Sequence, residues 1–228
     1  MKKLLLLLLL VTTPSLAKNK EDVQFWIPIN TNVKVNENVR LFLELQPRIQ
    51  NDASQLNTAI VRPAIGWAFD NRSSAWIGYG MQASSKQATP NDYAIEHRIW
   101  QGYSYKSNIL DDNFTLEMRN RLEERFIPNN SDISIRWRTR FRGEYIFPNY
   151  RPWSVISSEE IFVNVNDNSY DAQLQSGPAQ NRAYIGVGYR FNPTAQVEFG
   201  YLNQIAWGYD GKDDQVNHVI ATNINLNF

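Results

Sequence analysis

Residues 133–147 read Ile-Ser-Ile-Arg-Trp-Arg-Thr-Arg-Phe-Arg-Gly-Glu-Tyr-Ile-Phe and alternate between two kinds of side chain. Strict alternation with a period of two predicts a β-strand with one apolar and one charged face. The stretch is also far longer than the about five or six residues of an average soluble strand. One face would carry Ile133, Ile135, Trp137, Phe141, Tyr145 and Phe147, and the other Arg136, Arg138, Arg140, Arg142 and Glu144.

The same alternation runs through most of the chain, and it predicts one all-β domain over residues 18–228. We expect a transmembrane up-and-down antiparallel β-barrel of about 10–12 strands. Eleven segments alternate, but bacterial single-chain barrels have even strand numbers. The count is therefore ten if Val23–Asn30 is not a full strand, or twelve if one segment is split. The segments are Val23–Lys34, Val39–Ile49, Ala59–Phe69, Ala75–Ala83, Tyr93–Tyr105, Phe114–Phe126, Ile133–Phe147, Trp153–Val165, Ala183–Phe191, Ala195–Trp207 and Gln215–Phe228. The segment Trp153–Val165 alternates poorly, which suggests a bulge.

The energetic cost of charge in lipid predicts which face points inward. An Arg on the lipid face near the bilayer centre costs about 2–4 kcal/mol. Four such residues on one strand would consume the roughly 5–15 kcal/mol of a whole domain. We therefore predict a lumen lined by Arg40, Glu44, Arg62, Glu96, Arg98, Glu117, Arg119, Arg121, Glu123, Arg125, Arg136, Arg138, Arg140, Arg142, Glu144, Arg182, Arg190 and Glu198, with the apolar residues facing lipid.

Both ends of the chain suggest export to the outer membrane of a Gram-negative bacterium. Met1-Lys2-Lys3, an apolar run over Leu4–Val11 and the small residues before Lys18 form a secretory signal peptide over residues 1–17. Cleavage is expected between Ala17 and Lys18. The terminal strand ends on Phe228, which we interpret as the signal read by the barrel-assembly machinery.

Connection lengths give the expected orientation. Those at 36–38, 70–73, 148–152 and 192–194 are short, as periplasmic turns are, whereas those at 50–57, 166–180 and 208–215 are longer and suit extracellular loops. Aromatic residues near the strand ends, such as Trp67, Tyr105 and Trp207, would form the interfacial girdles.

Composition narrows the partners and the chemistry. The chain has no cysteine and therefore no disulfide or thiolate metal site. Removing Lys2 and Lys3 with the signal leaves 21 basic against 23 acidic residues, a net charge of −2, which argues against nucleic acid binding. No cofactor and no metal site are predicted. The expected partners are outer-membrane lipid, lipopolysaccharide and the assembly machinery, and no oligomeric state is assigned.

Four elements of the sequence resemble a known family. They are Glu96-His97-Arg98-Ile99-Trp100-Gln101, Arg119-Asn120-Arg121-Leu122-Glu123-Glu124-Arg125, Gln180-Asn181-Arg182 followed by Gly186, and Gly200-Tyr201-Leu202-Asn203-Gln204. Together they resemble an uncharacterised family of bacterial outer-membrane β-barrels, catalogued as a domain of unknown function. The resemblance covers the mature chain and implies a single barrel, with no activity and no functional residues.

Several functions fit these features. The favoured hypothesis is a narrow channel or a barrel plugged by its own ion pairs, in which a surplus of Arg would favour anions. A second is an outer-membrane lipid or peptide hydrolase using His97, near Glu96, or His218, near Asp213 and Asp214. A third is a surface-binding or structural barrel that uses the 166–180 loop. A soluble periplasmic ligand-binding barrel would show the same alternation with its faces exchanged.

Overall fold

The computed structural model describes residues 20–86, 89–109, 112–128, 131–168, 175–209 and 213–228, with only the backbone described at residues 86 and 89–92. The predicted signal peptide and its cleavage point at Ala17 and Lys18 lie outside the described residues. Within the described ranges, no helix has the length and apolarity to cross a membrane. The strands are β1 (Lys20–Trp26), β2 (Ile29–Lys34), β3 (Val39–Gln50), β4 (Gln55–Ala68), β5 (Ser73–Lys86), β6 (Thr89–Ile109), β7 (Phe114–Phe126), β8 (Ile133–Ile146), β9 (Trp153–Asn164), β10 (Gly177–Asn192), β11 (Ala195–Ala206) and β12 (Gln215–Asn227).

These strands form one closed sheet. From β2 to β12 every strand pairs antiparallel with its neighbour in sequence, and the sheet closes where β1 and β2 both pair with β12. β1 and β2 also pair in turn with β3, so together they make one interrupted strand. The predicted all-β closed barrel of about 10–12 strands is confirmed, and it contains eleven strand positions.

The choice between ten and twelve strands was therefore wrong. It rested on the even strand numbers of bacterial single-chain barrels, whereas β1 and β2 run parallel to β12, as the first and last strands of an odd-numbered meander must. The interruption falls at Pro28, which has no backbone N–H to donate to a ladder. The neighbouring Ile27 N–H donates to the Pro47 carbonyl, and the Pro28 carbonyl accepts from the Ile224 N–H.

The two ends of the barrel differ in their connections. One end, called here the turn end, holds the connections 35–38, 69–72, 110–113, 147–152 and 193–194 and the C-terminal residue. The other, the loop end, holds the connections 51–54, 87–88, 127–132, 165–176 and 207–214. The predicted 50–57 loop shrinks to 51–54 because Asn51, Asp52 and Ala53 turn the chain with φ near 55°, which lets β3 and β4 extend.

The barrel has a polar interior and an apolar exterior. Its outward side chains include exposed Leu43, Ile77, Ile99 and Trp137, while most of the buried residues on the described strands are polar or charged. A soluble domain has the opposite arrangement and rarely exposes apolar patches larger than a few hundred Å². The strands thus carry large apolar side chains on the outer face and buried polar or charged side chains on the inner face.

Two glycines make room for indole rings inside the barrel. A Cβ at Gly66 would lie 2.6 Å from the Trp76 ring, and one at Gly78 would overlap the Trp100 ring. Both indoles therefore lie flat against the inner wall. A small apolar cluster of Ile156, Tyr184, Ala221 and Leu202 fills the wall on the side of β9–β12.

β9 is continuous, so the bulge suggested for Trp153–Val165 is absent from this described strand. It pairs with β8 without a register shift, and the irregularity lies in β10, between Pro178 and Gln180. The alternation looked poor because Ile156 and Phe162 point inward while Glu159 points outward, the reverse of the pattern on β8.

Candidate functional site: the barrel interior

Charged residues from eight strands, β3, β4 and β6–β11, meet inside the described part of the barrel. All the residues predicted to line the lumen carry ion pairs there, line its cavities or both, with Arg40 and Arg190 at the turn-end rim. Among described residues the interior arginines are Arg40, Arg48, Arg62, Arg98, Arg119, Arg121, Arg125, Arg136, Arg138, Arg140, Arg142, Arg182 and Arg190, and the glutamates are Glu44, Glu96, Glu117, Glu123, Glu144, Glu160 and Glu198. The interior therefore carries a surplus of positive charge.

Glu123 on β7 is the most enclosed carboxylate, with 0% of its surface exposed. Its Oε2 accepts from Arg136, at 2.5 Å from Nη2, and its Oε1 accepts from Arg138, at 2.6 Å from Nη1. Arg121 Nη1 lies 3.7 Å from the same Oε1. Three guanidinium groups thus share one carboxylate, and buried charges of this kind are tolerated only when paired in this way.

Glu160 on β9 forms a second centre. Its Oε1 accepts from Arg138 at 2.9 Å and lies 3.5 Å from Arg119 Nη2. Its Oε2 lies 3.6 Å from Arg182. Because Arg138 bridges Glu123 and Glu160, the consecutive strands β7, β8, β9 and β10 are joined on their inner face by one network.

Two aromatic rings lie inside the barrel among the arginines of this network. Trp26 and Phe162 are 2% and 1% exposed. Arg48 stacks on the Trp26 ring at 3.8 Å, and Arg182 lies between Trp26, at 5.1 Å, and Phe162, at 4.6 Å. Cation–π contacts of this kind are strongest when desolvated. We call Trp26, Arg48, Phe162 and Arg182 the aromatic seal.

The remaining interior pairs join neighbouring strands, residues of one strand or strands further apart. Glu44 pairs with Arg62 at 2.6 Å, and Glu117 pairs with Arg140. Glu96 binds Arg98 and Arg125. Arg142 reaches Glu144 and, across the interior, Glu198. The register sets Glu44 directly opposite Arg62, whereas Glu117 stands opposite Arg142 and reaches Arg140 diagonally.

The turn-end half of the interior is open. A cavity of about 650 Å³ extends from the turns inward to Trp100 and Arg121. A smaller cavity of about 140 Å³ lies deeper and shares Arg119, Arg140 and Arg142 with it. At the rim, Asp70 accepts from the backbone N–H groups of Arg72 and Ser73, which lowers the pKa of its carboxyl. We call the larger space the turn-end cavity.

Two charged interior residues were missed by sequence reasoning. Arg48 had the right parity on its strand, but it lies near the strand end and was left out. Glu160 lies on β9, whose mixed pattern hid its inward direction. Aligning β9 with β10, where Arg182 stands opposite Glu160, would have shown that Glu160 points inward.

Both histidines lie on the outer wall, and each is bonded to a tyrosine. His97 Nδ1 lies 2.5 Å from the Tyr79 hydroxyl, and His218 Nδ1 lies 2.7 Å from the Tyr201 hydroxyl. Glu96 points inward to its arginines, and the Asp214 carboxylate accepts from the Gly208 N–H, so neither acts as the acidic partner that sequence proximity suggested. For the hydrolase alternative, each histidine could act as a base, but the described contacts place a tyrosine and no serine beside it.

Other outward polar groups also pair on the wall. Trp137 donates to the Thr139 hydroxyl, which donates to Asn120, and Asn181 donates to Glu159. Such pairing reduces the cost of placing polar groups away from water. Within the described ranges, no three His, Asp or Glu side chains cluster as a metal site would require.

The predicted assembly signal lies at the closing edge. The Phe228 side chain is exposed, while its backbone pairs with Asn32 and Lys34 on β2. In the predicted 166–180 loop, Asn166 bonds to the backbone of Ile133 and Ile135, which ties the start of the loop to β8. Residues 169–174 lie outside the described part of the chain.

Comparisons with known proteins give a family but no activity. A family model described as "Protein of unknown function (DUF2490)" matches residues 23–216, from β1 into β12. An uncharacterised protein of Methylorubrum extorquens is 29% identical over 211 residues, which cover 91% of this chain and 89% of that protein. A solved chain from a study of the in-meso crystallisation of membrane proteins aligns with a TM-score of 0.36 and 14% identity, over 82% of this chain and 71% of that chain.

Proposed function

Because this chain belongs to the DUF2490 family of proteins of unknown function, whose description assigns no activity, we propose its function from geometry. The protein is a barrel of the bacterial outer membrane whose interior is sealed on the loop side and open to a cavity at the turn end. The family match confirms the resemblance drawn from the sequence. The placement in a membrane is supported by the polarity of the barrel wall, which has arginines on its inner face and large apolar residues on its outer face.

The outer surface supports a membrane setting. Exposed apolar side chains occur on strands around the barrel, and exposed aromatic groups gather near the turn end, where Trp153 packs on Tyr189 at 4.8 Å and Tyr145 on Phe147 at 5.6 Å. Aromatic girdles of this kind mark the interfaces of membrane barrels. With the short turns in the periplasm, the open cavity would face the periplasm.

Fluorescence in vesicles tests the membrane setting. Two single-tryptophan proteins are needed, one keeping Trp137 on the outer wall and one keeping Trp100 inside, with the other tryptophans replaced by Phe. In vesicles containing brominated phosphatidylcholine, we expect strong quenching of Trp137 and little quenching of Trp100, because only the outer indole contacts acyl chains. A water-soluble protein in which Trp137 is unquenched would contradict the proposal.

The interior supports the plugged form of the barrel over the open channel. The network around Glu123 and Glu160 covers the inner face of β7–β10, and Arg182 of this network reaches over to Trp26 on β1. We expect the purified protein to show no steady conductance in planar bilayers. A stable open-channel current in the unmodified protein would refute the seal while leaving the membrane setting intact.

A further inference from the structure

The turn-end cavity contains cationic side chains that the protein does not neutralise. Its lining includes eight Arg or Lys against four Asp or Glu residues. Two pairs of arginines also stand directly opposite each other on β7 and β8, Arg119 with Arg140 and Arg121 with Arg138. Like charges in opposite positions destabilise a sheet, so this arrangement calls for a negative charge between them.

The carboxylates of the protein supply only part of the negative charge that these facing arginines require. Arg119 reaches Glu160 at 3.5 Å, but that carboxylate already holds Arg138 and lies near Arg182. Arg140 Nη2 donates to the Glu117 carboxylate, while Arg140 Nε has no hydrogen-bond partner among described residues.

Arg121 is the clearest case. It is 3% exposed, lines the cavity and stacks on Trp100 at 3.9 Å. Its Nε and Nη1 make no hydrogen bond with any described residue, although Nη1 lies 3.7 Å from Glu123. A buried guanidinium with unsatisfied N–H groups is costly, and an anion in the cavity beside it would offset its positive charge.

The opposite wall of the cavity is rich in carboxamides, one of which, Asn225, also donates to the Glu198 carboxylate. Asn30 donates to Asn225, and Asn32 donates to Asn227, from β2 to β12. Phe42 and Trp76 add an aromatic edge-to-face pair, with ring centroids 6.3 Å apart, beside this wall. Amides and aromatic faces suit a ligand that carries hydroxyl groups on a compact ring, and about 650 Å³ falls within the range of small-molecule sites.

We infer that the turn-end cavity binds an anionic saccharide, with its phosphate or carboxylate held by Arg119, Arg121 and Arg140 and its hydroxyl groups against the asparagine wall. The inference goes beyond the proposed function and is independent of it, because the cavity exists whether or not the barrel spans a membrane. Bidentate contacts from arginine suit phosphate and carboxylate groups.

Titration calorimetry on the full mature chain in detergent tests this inference. The probes are glucose 6-phosphate and glucuronate, with glucose and inorganic phosphate as comparisons. We expect saturable binding of at least one anionic sugar, with glucose and phosphate each weaker by roughly tenfold or more, about the loss of one hydrogen bond to a charged group. Binding of neither sugar, or equal binding of phosphate, would overturn the inference.

Matched variants separate the site from general charge effects. Arg119→Gln and Arg140→Gln should each weaken binding by roughly tenfold while keeping heat-modifiable gel mobility, since each also relieves repulsion between opposite arginines. Arg151→Gln removes the same charge from an exposed turn residue that does not line the cavity, and its binding should be unchanged. Equal affinity in all three folded variants would exclude the site, whatever the conductance and quenching results.

Discussion

Replacing Glu123 with glutamine is expected to lower the free energy of unfolding by about 3–5 kcal/mol, the cost of breaking a buried ion pair. The substitution keeps the shape of the side chain but removes the charge shared by Arg136, Arg138 and Arg121. These guanidinium groups would remain buried without their carboxylate. Urea-induced unfolding in detergent or vesicles, followed by tryptophan fluorescence, measures the effect.

Glu117→Gln is the matched control for this experiment. Glu117 lies on the same strand and pairs with Arg140, but 26% of its side chain is exposed and it lies at the open cavity. Partly exposed pairs contribute about 1 kcal/mol or less. If the two variants lose equal stability, Glu123 is not the centre of the network.

Removing the aromatic seal is expected to open the barrel. In the double variant Trp26→Ala, Phe162→Ala, the two rings between the arginines are lost, and Arg48 and Arg182 would border the space that remains. We expect a steady conductance where the unmodified protein has none. Because arginines would line the path, the current should favour anions, which reversal potentials in a salt gradient measure.

The control removes the same two residue types from the outer wall. Trp137→Ala with Phe141→Ala truncates exposed side chains on β8 and leaves the interior intact. This variant should stay non-conducting. A silent inner variant that is still folded by heat-modifiable mobility would show that the seal does not close the barrel.

Alternation alone predicts the barrel and most of its interior. On β8, each arginine follows an apolar residue or Thr139, so parity places the arginines on one face and the large apolar residues on the other, and the cost of charge in lipid predicts which face is the inner one. On β9 the rule fails, because Ile156 and Phe162 are interior residues that pack against Tyr184 and stack with arginines. The alternation rule uses the sequence of a single strand, whereas these contacts involve β8, β9 and β10 together.

The closure and the cavity depend on register, which the sequence does not display. Pro28 shows where a ladder must break, but not that both fragments pair with β12. The facing arginines Arg119 and Arg140 come together only because β7 and β8 meet through a short connection that sets their alignment. The even-number rule also failed because strand pairing at the closure is not visible in the sequence; the rule gives the usual closure of bacterial barrels, and this chain closes differently.

Because the barrel closes through parallel pairing, β1 and β2 should separate from β12 more easily than the other neighbouring strands separate from each other. Seven residue pairs join β1 to β12 and four join β2 to β12, with a break at Ile27 and Pro28 between them. Parallel ladders are slightly weaker per residue than antiparallel ones. Hydrogen exchange should therefore be fastest along this junction, and partial unfolding would begin as a lateral slit between the first and last strands, with the other hairpins still intact.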